Sequence, residues 1–361
     1  MIVAPELDSA NKSITDGEIA FINLDSARRR SWSKFFEDPT RDEVAETVVE
    51  HEQLTLQFVG DVFALDRVEL LAAQLVQADA DSARATLIRA QVASMAHRFS
   101  EARQYLEKAE IGGAPPTDID RLRLNIDQAC GSNLNNVLGA RRRIASEKRG
   151  LEGFVALGSL LADLHEFAAA DRAYKEALLA YQDVSPFPVA GVCFQLGMLW
   201  GELVPEPDFF AATQWYRRAI AVLPMYTKAR VHLAEIYSSD GNLNDAEALL
   251  RPIVALGDPE VDWRLADVLA AQGKFEESEA RMRAAHSGFE SLLERHLLAF
   301  ADHGAEFYAG SGNDYSRALQ LARINADNRP TRRTLKQAHN IATSADGAAA
   351  AFELASVVTK R

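Results

Sequence analysis

Two constellations in this 361-residue chain carry residue types that could do chemistry. In ESLLERHLLAFADHGAEF, His296 and His303 stand seven apart, a spacing that puts both on one side of a helix, and Glu306 follows His303 by three. Two imidazoles and a carboxylate are ligands for a divalent metal if a neighbouring helix supplies the rest. The competing reading is that one histidine packs while the other is solvated, because nothing nearby in sequence completes the set. The second constellation is an SxxK string, Ser31 and Lys34. It stands without the partner motifs that make such a serine nucleophilic, so chance accounts for it. No glycine-rich phosphate loop, dinucleotide fingerprint, paired CxxC, HExxH or GxSxG occurs. The chain therefore reads as a non-enzyme, and no cofactor is expected.

The elements that would position any site are announced by a recurring beat. A small residue is followed twelve positions later by alanine or serine and seven beyond that by alanine or isoleucine: Ala90/Ala102/Ala109, Gly158/Ala170/Ala177, Ala234/Ala246/Ile253 and Ala266/Ser278/Ala285. A fifth set, Gly197/Ala212/Ala219, carries three extra residues where VPEPD lies between its helices. Two antiparallel helices joined by a tight turn approach closely only where the crossing side chains are small. Leu157, Leu161, Phe167, Tyr174 and Leu178 are spaced to fill the gaps around such a crossing. Gly241 and Gly273 mark turns, and Pro115, Pro224 and Pro259 mark boundaries between pairs. Pro252, inside EALLRPIVAL, is expected to bend a second helix.

At these residues the chain resembles the tetratricopeptide repeat family, in its bacterial type, whose unit is a helix pair with small residues at fixed positions. LADLHEFAAADRAYKEAL, FFAATQWYRRAIAVLP and LAEIYSSDGNLNDAEALL carry the resemblance. It implies an all-α fold, a right-handed α-solenoid of stacked antiparallel helix pairs. Residues 1–41 are set apart as an N-terminal arm, and 42–361 as a single solenoid. Clear repeats run from 81 to 285; degenerate and capping repeats occupy 42–80, 117–150 and 290–361. The last stretch includes a repeat at 297–327 and a terminal pair at 333–358. The arm carries Phe21, Ile22, Trp32, Phe35 and Phe36, too much apolar surface for a free tail. It either forms a capping helix or meets a partner.

The resemblance also places a groove, because the first helix of each pair lines the concave side in this family. In this chain the groove positions are Val155 and Ser159, Phe194 and Met198, Val231 and Glu235, then Trp263 and Asp267. The expected partner is a protein or peptide whose apolar segment meets Phe194, Met198 and Trp263 and whose cationic groups meet Glu235 and Asp267. The family's lysines and asparagines for a peptide carboxylate are missing from these positions. An arm, another helix or a second subunit covering the groove is the competing account, and a homodimer stays open.

Composition bounds the rest. A net charge of −13 disfavours nucleic acid unless basic residues concentrate on one surface. Three concentrations exist: Arg28, Arg29 and Arg30; Arg141, Arg142, Arg143, Lys148 and Arg149; and Arg329, Arg332, Arg333 and Lys336. They read as solvated helix faces and helix ends, or as docking sites for an acidic partner. No apolar run approaches membrane-spanning length and the N-terminus lacks the pattern of a signal peptide, so no membrane is expected and the location reads as cytoplasmic. The function that follows is a scaffold or adaptor binding a protein or peptide in its groove. The alternative is an accessory or regulatory subunit of an enzyme, or a sensor of a small ligand or metal.

Overall fold

A computed structural model of the protein describes residues 14–79 and 82–344. Among them are seventeen α-helices and no strand. Asp16 accepts from the backbone N–H groups of Glu18 and Ile19, at 2.9 and 3.1 Å, and so starts α1 (Gly17–Glu37). Then come α2 (Val44–Leu54), α3 (Ala64–Ala78), α4 (Ala83–Met95), α5 (Phe99–Ile111), α6 (Pro116–Ala129), α7 (Leu134–Lys148), α8 (Leu151–Asp163) and α9 (Phe167–Ala180). The rest are α10 (Pro186–Met198), α11 (Phe209–Val222), α12 (Thr227–Ser239), α13 (Leu243–Leu250), α14 (Pro259–Ala271), α15 (Phe275–Ala309), α16 (Tyr315–Asn328) and α17 (Arg332–Ser344). Among the described residues no helix is long and apolar enough to cross a membrane.

The chain divides into two compact units. Of the described residues, the first holds 14–30, 53–61 and 135–256; the second holds 31–52, 62–79, 82–134 and 257–344. In the first, α8 pairs with α9, α10 with α11 and α12 with α13; in the second, α4 pairs with α5, α14 with α15 and α15 with α16. Two helices expected at 117–150 are α6 and α7. Asn136 there is exposed and its neighbour Val137 is buried, so the inward position has slipped by one residue. The repeat expected at 297–327 is the second half of α15 with α16, and of the terminal pair only α17 is described; residues 345–358 lie outside the described residues.

The recurring small residues sit where close packing demands. Ala90, Ala102, Ala109, Ala170, Ala177, Ala212, Ala219, Ala246, Ala266 and Ala285 are all buried. Where serine replaces alanine, the hydroxyl of Ser278 donates to the carbonyl of Ala266 at 2.8 Å and is satisfied within the crossing. Glycine brings a tyrosine face against the helix backbone. A methyl group at Gly158 would come within 2.9 Å of the Tyr174 ring, and one at Gly197 would overlap the Tyr216 ring still more deeply.

The turns within pairs share one geometry. Gly241 and Gly273 have φ of 77 and 78°, and two residues later Leu243 or Phe275 opens the next helix. His97 and His165 occupy the same turn position in two other pairs, with φ of 55 and 63°. Each stacks its ring on the phenylalanine two residues later, Phe99 or Phe167, with centroids 5.4 Å apart. That contact offsets part of the cost of a left-handed histidine.

The insertion and the proline are both absorbed at helix ends. α10 runs on into a π-helical turn, Leu199–Leu203, and Asp208 then caps α11 by accepting from the N–H of Ala211 at 2.9 Å. Pro252 lies in a 3-10 segment, Arg251–Leu256, that continues α13. Cys130 and Cys193 are buried and unbridged.

Replacing Gly158 or Gly197 by alanine would stabilise an exposed helix by roughly 1 kcal/mol through propensity. Here overpacking against Tyr174 or Tyr216 costs about 1–3 kcal/mol, so the sign reverses. Urea unfolding followed by circular dichroism should show lower midpoints for both variants, with Gly197→Ala the worse.

Candidate functional site

In the first unit the chain covers much of its own predicted groove. The segment before α3 brings Phe58 against Phe187 and Tyr226, with ring centroids 5.2 and 4.8 Å apart. Thr227 anchors that segment by donating to the carbonyl of Val59 at 2.6 Å. The first part of α1 also packs here: Ala20 and Leu24 are buried and Phe21 meets the edge of Phe187 at 5.7 Å. Phe194 and Met198 are only 7% and 8% exposed and Val231 2%, so none stands open as an anchor. Glu235 is also engaged internally, 3.5 Å from Nδ1 of His232, which lies 2.6 Å from Glu202. Val155 and Ser159 on α8 are different, since both remain partly exposed.

In the second unit Trp263 is 4% exposed. Its indole N–H donates to Ser311 Oγ at 3.0 Å, and that hydroxyl donates to Asp267 at 2.7 Å. Asp267 is thereby drawn into the fold rather than offered to a ligand, and burial raises its pKa. At Trp263 and Asp267, as at Phe194, other parts of the chain pack over the position expected to serve as an anchor.

The structure separates the two histidines of the first constellation. α15 is interrupted at His296, whose φ and ψ of −137 and 50° are not helical, so a seven-residue spacing no longer means one face. His296 is buried and its Nε2 lies 2.8 Å from Asp66, the carboxylate that also pairs with Arg295. His303 turns instead to Glu260, 3.4 Å away, and Glu306 accepts from Gln337 Nε2 at 2.9 Å. No group of three His, Cys, Asp or Glu side chains among the described residues could hold a metal. Ser31 is buried with its hydroxyl 3.0 Å from His51 Nδ1, while the SxxK partner Lys34 stays exposed.

A polar cavity of about 540 Å³ lies beside this region, within the second unit, between α14, the second half of α15, α16 and α17. Asp302 and Glu306 line it from positions three before and one after the buried Ala305. These are the same offsets that relate Trp263 and Asp267 to Ala266. The small residue Ala305 thus marks two positions equivalent to those expected to line a groove in the earlier repeats. From α16 come Asn325 and Arg329, and from α17 Arg333, Lys336 and Gln337. Three of the four residues of the last basic cluster in the sequence therefore meet at one cavity.

Its electrostatics are set by close neighbours. Burial alone would lower the pKa of His303, but the carboxylates of Asp302 and Glu260 outweigh it and raise the imidazole to about 10. Burial opposes charge on Asp302 as well, yet His303 and Arg329 hold its carboxyl below the ordinary range. His97, against the same elements, goes the other way. Burial and the nearby Arg329 guanidinium lower it to about 4. Its Nδ1 lies 3.2 Å from the carbonyl of Leu298, and its own carbonyl accepts from Asn328 Nδ2 at 2.9 Å.

Paired helices and small crossing residues define a tetratricopeptide-like helical-repeat fold. Among solved structures the chain is similar to one described as the APC/C hetero-tetramer Cut9–Hcn1, with 15% identity and a TM-score of 0.50, covering 78% of this chain and 54% of that one. The present chain thus spans about half the length of that relative. It is also similar to MamA, at 17% identity and TM-score 0.39 over 47% of this chain and 96% of that one. A further similarity is to the C-terminal part of a TPR repeat-containing protein from Cytophaga hutchinsonii, at 13% identity and TM-score 0.34 over 81% and 97%. No family model and no curated protein matches the sequence.

The two shifted histidines bound the stability of the second unit. His97 is neutral in the fold, so stability is lost as pH falls from about 6.5 toward 4. His303 is charged in the fold, so its contribution is complete below about 6.5 and lost as pH rises through 10. Melting temperature measured against pH should peak between these limbs. His97→Asn, which tolerates the left-handed backbone, should flatten the acid limb, and His303→Gln the alkaline one.

Proposed function

We propose that the chain is a non-enzymatic scaffold that binds a protein or peptide partner on the first-helix surface of its repeats. The observation that supports this most is on α8, where Val155 and Ser159, one turn apart, stay partly exposed while the equivalent positions of α10 are covered by the chain itself. Half-buried aliphatic and aromatic side chains on a rigid helix are suited to act as anchors. The neighbour described as Cut9–Hcn1 is a hetero-tetramer, so this fold occurs within a multi-chain assembly. Because Glu235 and Asp267 are engaged with His232 and Ser311, the partner segment is defined by apolar rather than cationic character. A second reading, an accessory chain that responds to a small ligand, is supported by the polar cavity of the second unit.

A photo-crosslinking amino acid at position 155 should trap a defined partner in native lysate, whereas the same probe at the exposed Leu179 on α9 should not. Val155→Asp should weaken that partner's binding by about tenfold with unchanged helicity. Equal trapping from both positions would sink the assignment of the surface.

A further inference from the structure

Asn325 is the side chain in the cavity that the fold leaves incomplete. It is 1% exposed and lines the cavity, yet among the described residues its Oδ1 has no hydrogen-bond partner. The orientation of its amide is set, because Nδ2 donates to Gln337 Oε1 at 3.3 Å. Gln337 is held in turn by donating to the carbonyl of Asp302 at 3.2 Å and to Glu306 at 2.9 Å. A buried acceptor without a donor costs about 1–3 kcal/mol, so the site calls for a ligand that brings an O–H or N–H.

The charges around it call for something else as well. Arg264, Arg329, Arg333 and Lys336 line the cavity with two carboxylates, Asp302 and Glu306. Arg264 is stacked 3.6 Å from the centroid of Trp263 and lies 3.5 Å from Glu260, so it is already engaged. Among the described residues Arg333 and Lys336 form no ion pair, and both are exposed at the cavity. The buried Nε of Arg329 also has no partner among the described residues. Cations gathered in this way in a chain of net charge −13 oppose the prevailing field and mark an anion site. A volume of about 540 Å³ falls within the usual small-molecule range.

We propose that this cavity binds a small phosphate monoester bearing hydroxyl groups, with the phosphate toward Arg329, Arg333 and Lys336 and the hydroxyls donating to Asn325 Oδ1, Asp302 and Glu306. Guanidinium groups match phosphate oxygens in pairs, and lysine adds a point charge. The carboxylates and the amide oxygen that share the cavity repel a second anionic group and accept from hydroxyls, which selects a polyol ester over free phosphate. This deepens the small-ligand reading and is independent of the partner surface on α8.

Calorimetric titration of the full chain with glycerol 3-phosphate, n-propyl phosphate, inorganic phosphate, sulfate and citrate tests it. Glycerol 3-phosphate should bind in a one-to-one ratio, about tenfold more tightly than n-propyl phosphate, which lacks the hydroxyls. The exposed double variant Arg333→Gln/Lys336→Gln should weaken it by at least about tenfold. Equal binding of the two esters, a response to sulfate of the same strength, or an unaffected double variant would overturn the proposal. Binding of citrate alone would overturn it while leaving the small-ligand reading in place, and no binding of any probe would overturn both.

Discussion

Helix backbones in this protein can approach only as closely as the residues at their crossings allow, and the rest of the structure depends on that limit. Tyr174 and Tyr216 lie flat where Gly158 and Gly197 present no side chain, and buried alanines repeat the arrangement in the other pairs. Because the contact is steric it has little tolerance: one added methyl group must displace a buried ring. The crossings fix the spacing of each pair, and the spacing fixes which side chains of the first helix face outward. Groove positions three before and one after the small residue are a consequence of that geometry rather than a separate feature.

What those positions do then depends on what later or earlier chain lies over them. Phe194 and Met198 would be anchors on an isolated repeat, but Phe58 and the start of α1 belong to the same core. Asp302 and Glu306, at the same offsets one repeat beyond Trp263, are left at a cavity because α16 and α17 bring basic residues opposite them. The same repeat position can therefore be core, free surface or polar pocket. Burial decides among the three, and the side chains follow: aromatic where covered, charged where a cavity remains.

Histidine is used in two distinct ways. His97 and His165 replace glycine at a left-handed turn and recover stability by stacking on the following phenylalanine. His296 breaks α15 and is held by Asp66, while His303 is charged by its acidic neighbours. None of these roles is visible in histidine spacing, which suggested a metal site. A seven-residue interval means a shared face only while the helix is continuous, and a single residue with non-helical dihedrals removes that meaning.

The amino-acid sequence alone determined the helix pairs, their turns and the small residues at their crossings, because these follow from local propensity and a short-range steric requirement that recurs with a fixed period. Even degenerate stretches kept enough of the pattern to place α6, α7 and α16. It also marked Arg329, Arg333 and Lys336 as a basic cluster, without saying what they face. Only the tertiary structure decided that Phe58 joins the core that holds Phe194, that α15 is interrupted at His296, and that Asn325, Asp302 and the basic cluster share one cavity. Those facts join residues far apart in the chain, as Phe58 is from Tyr226 and His97 from Leu298, and no local period carries them. A repeat encodes its nearest neighbours; what packs over its exposed face is set by the path of the whole chain.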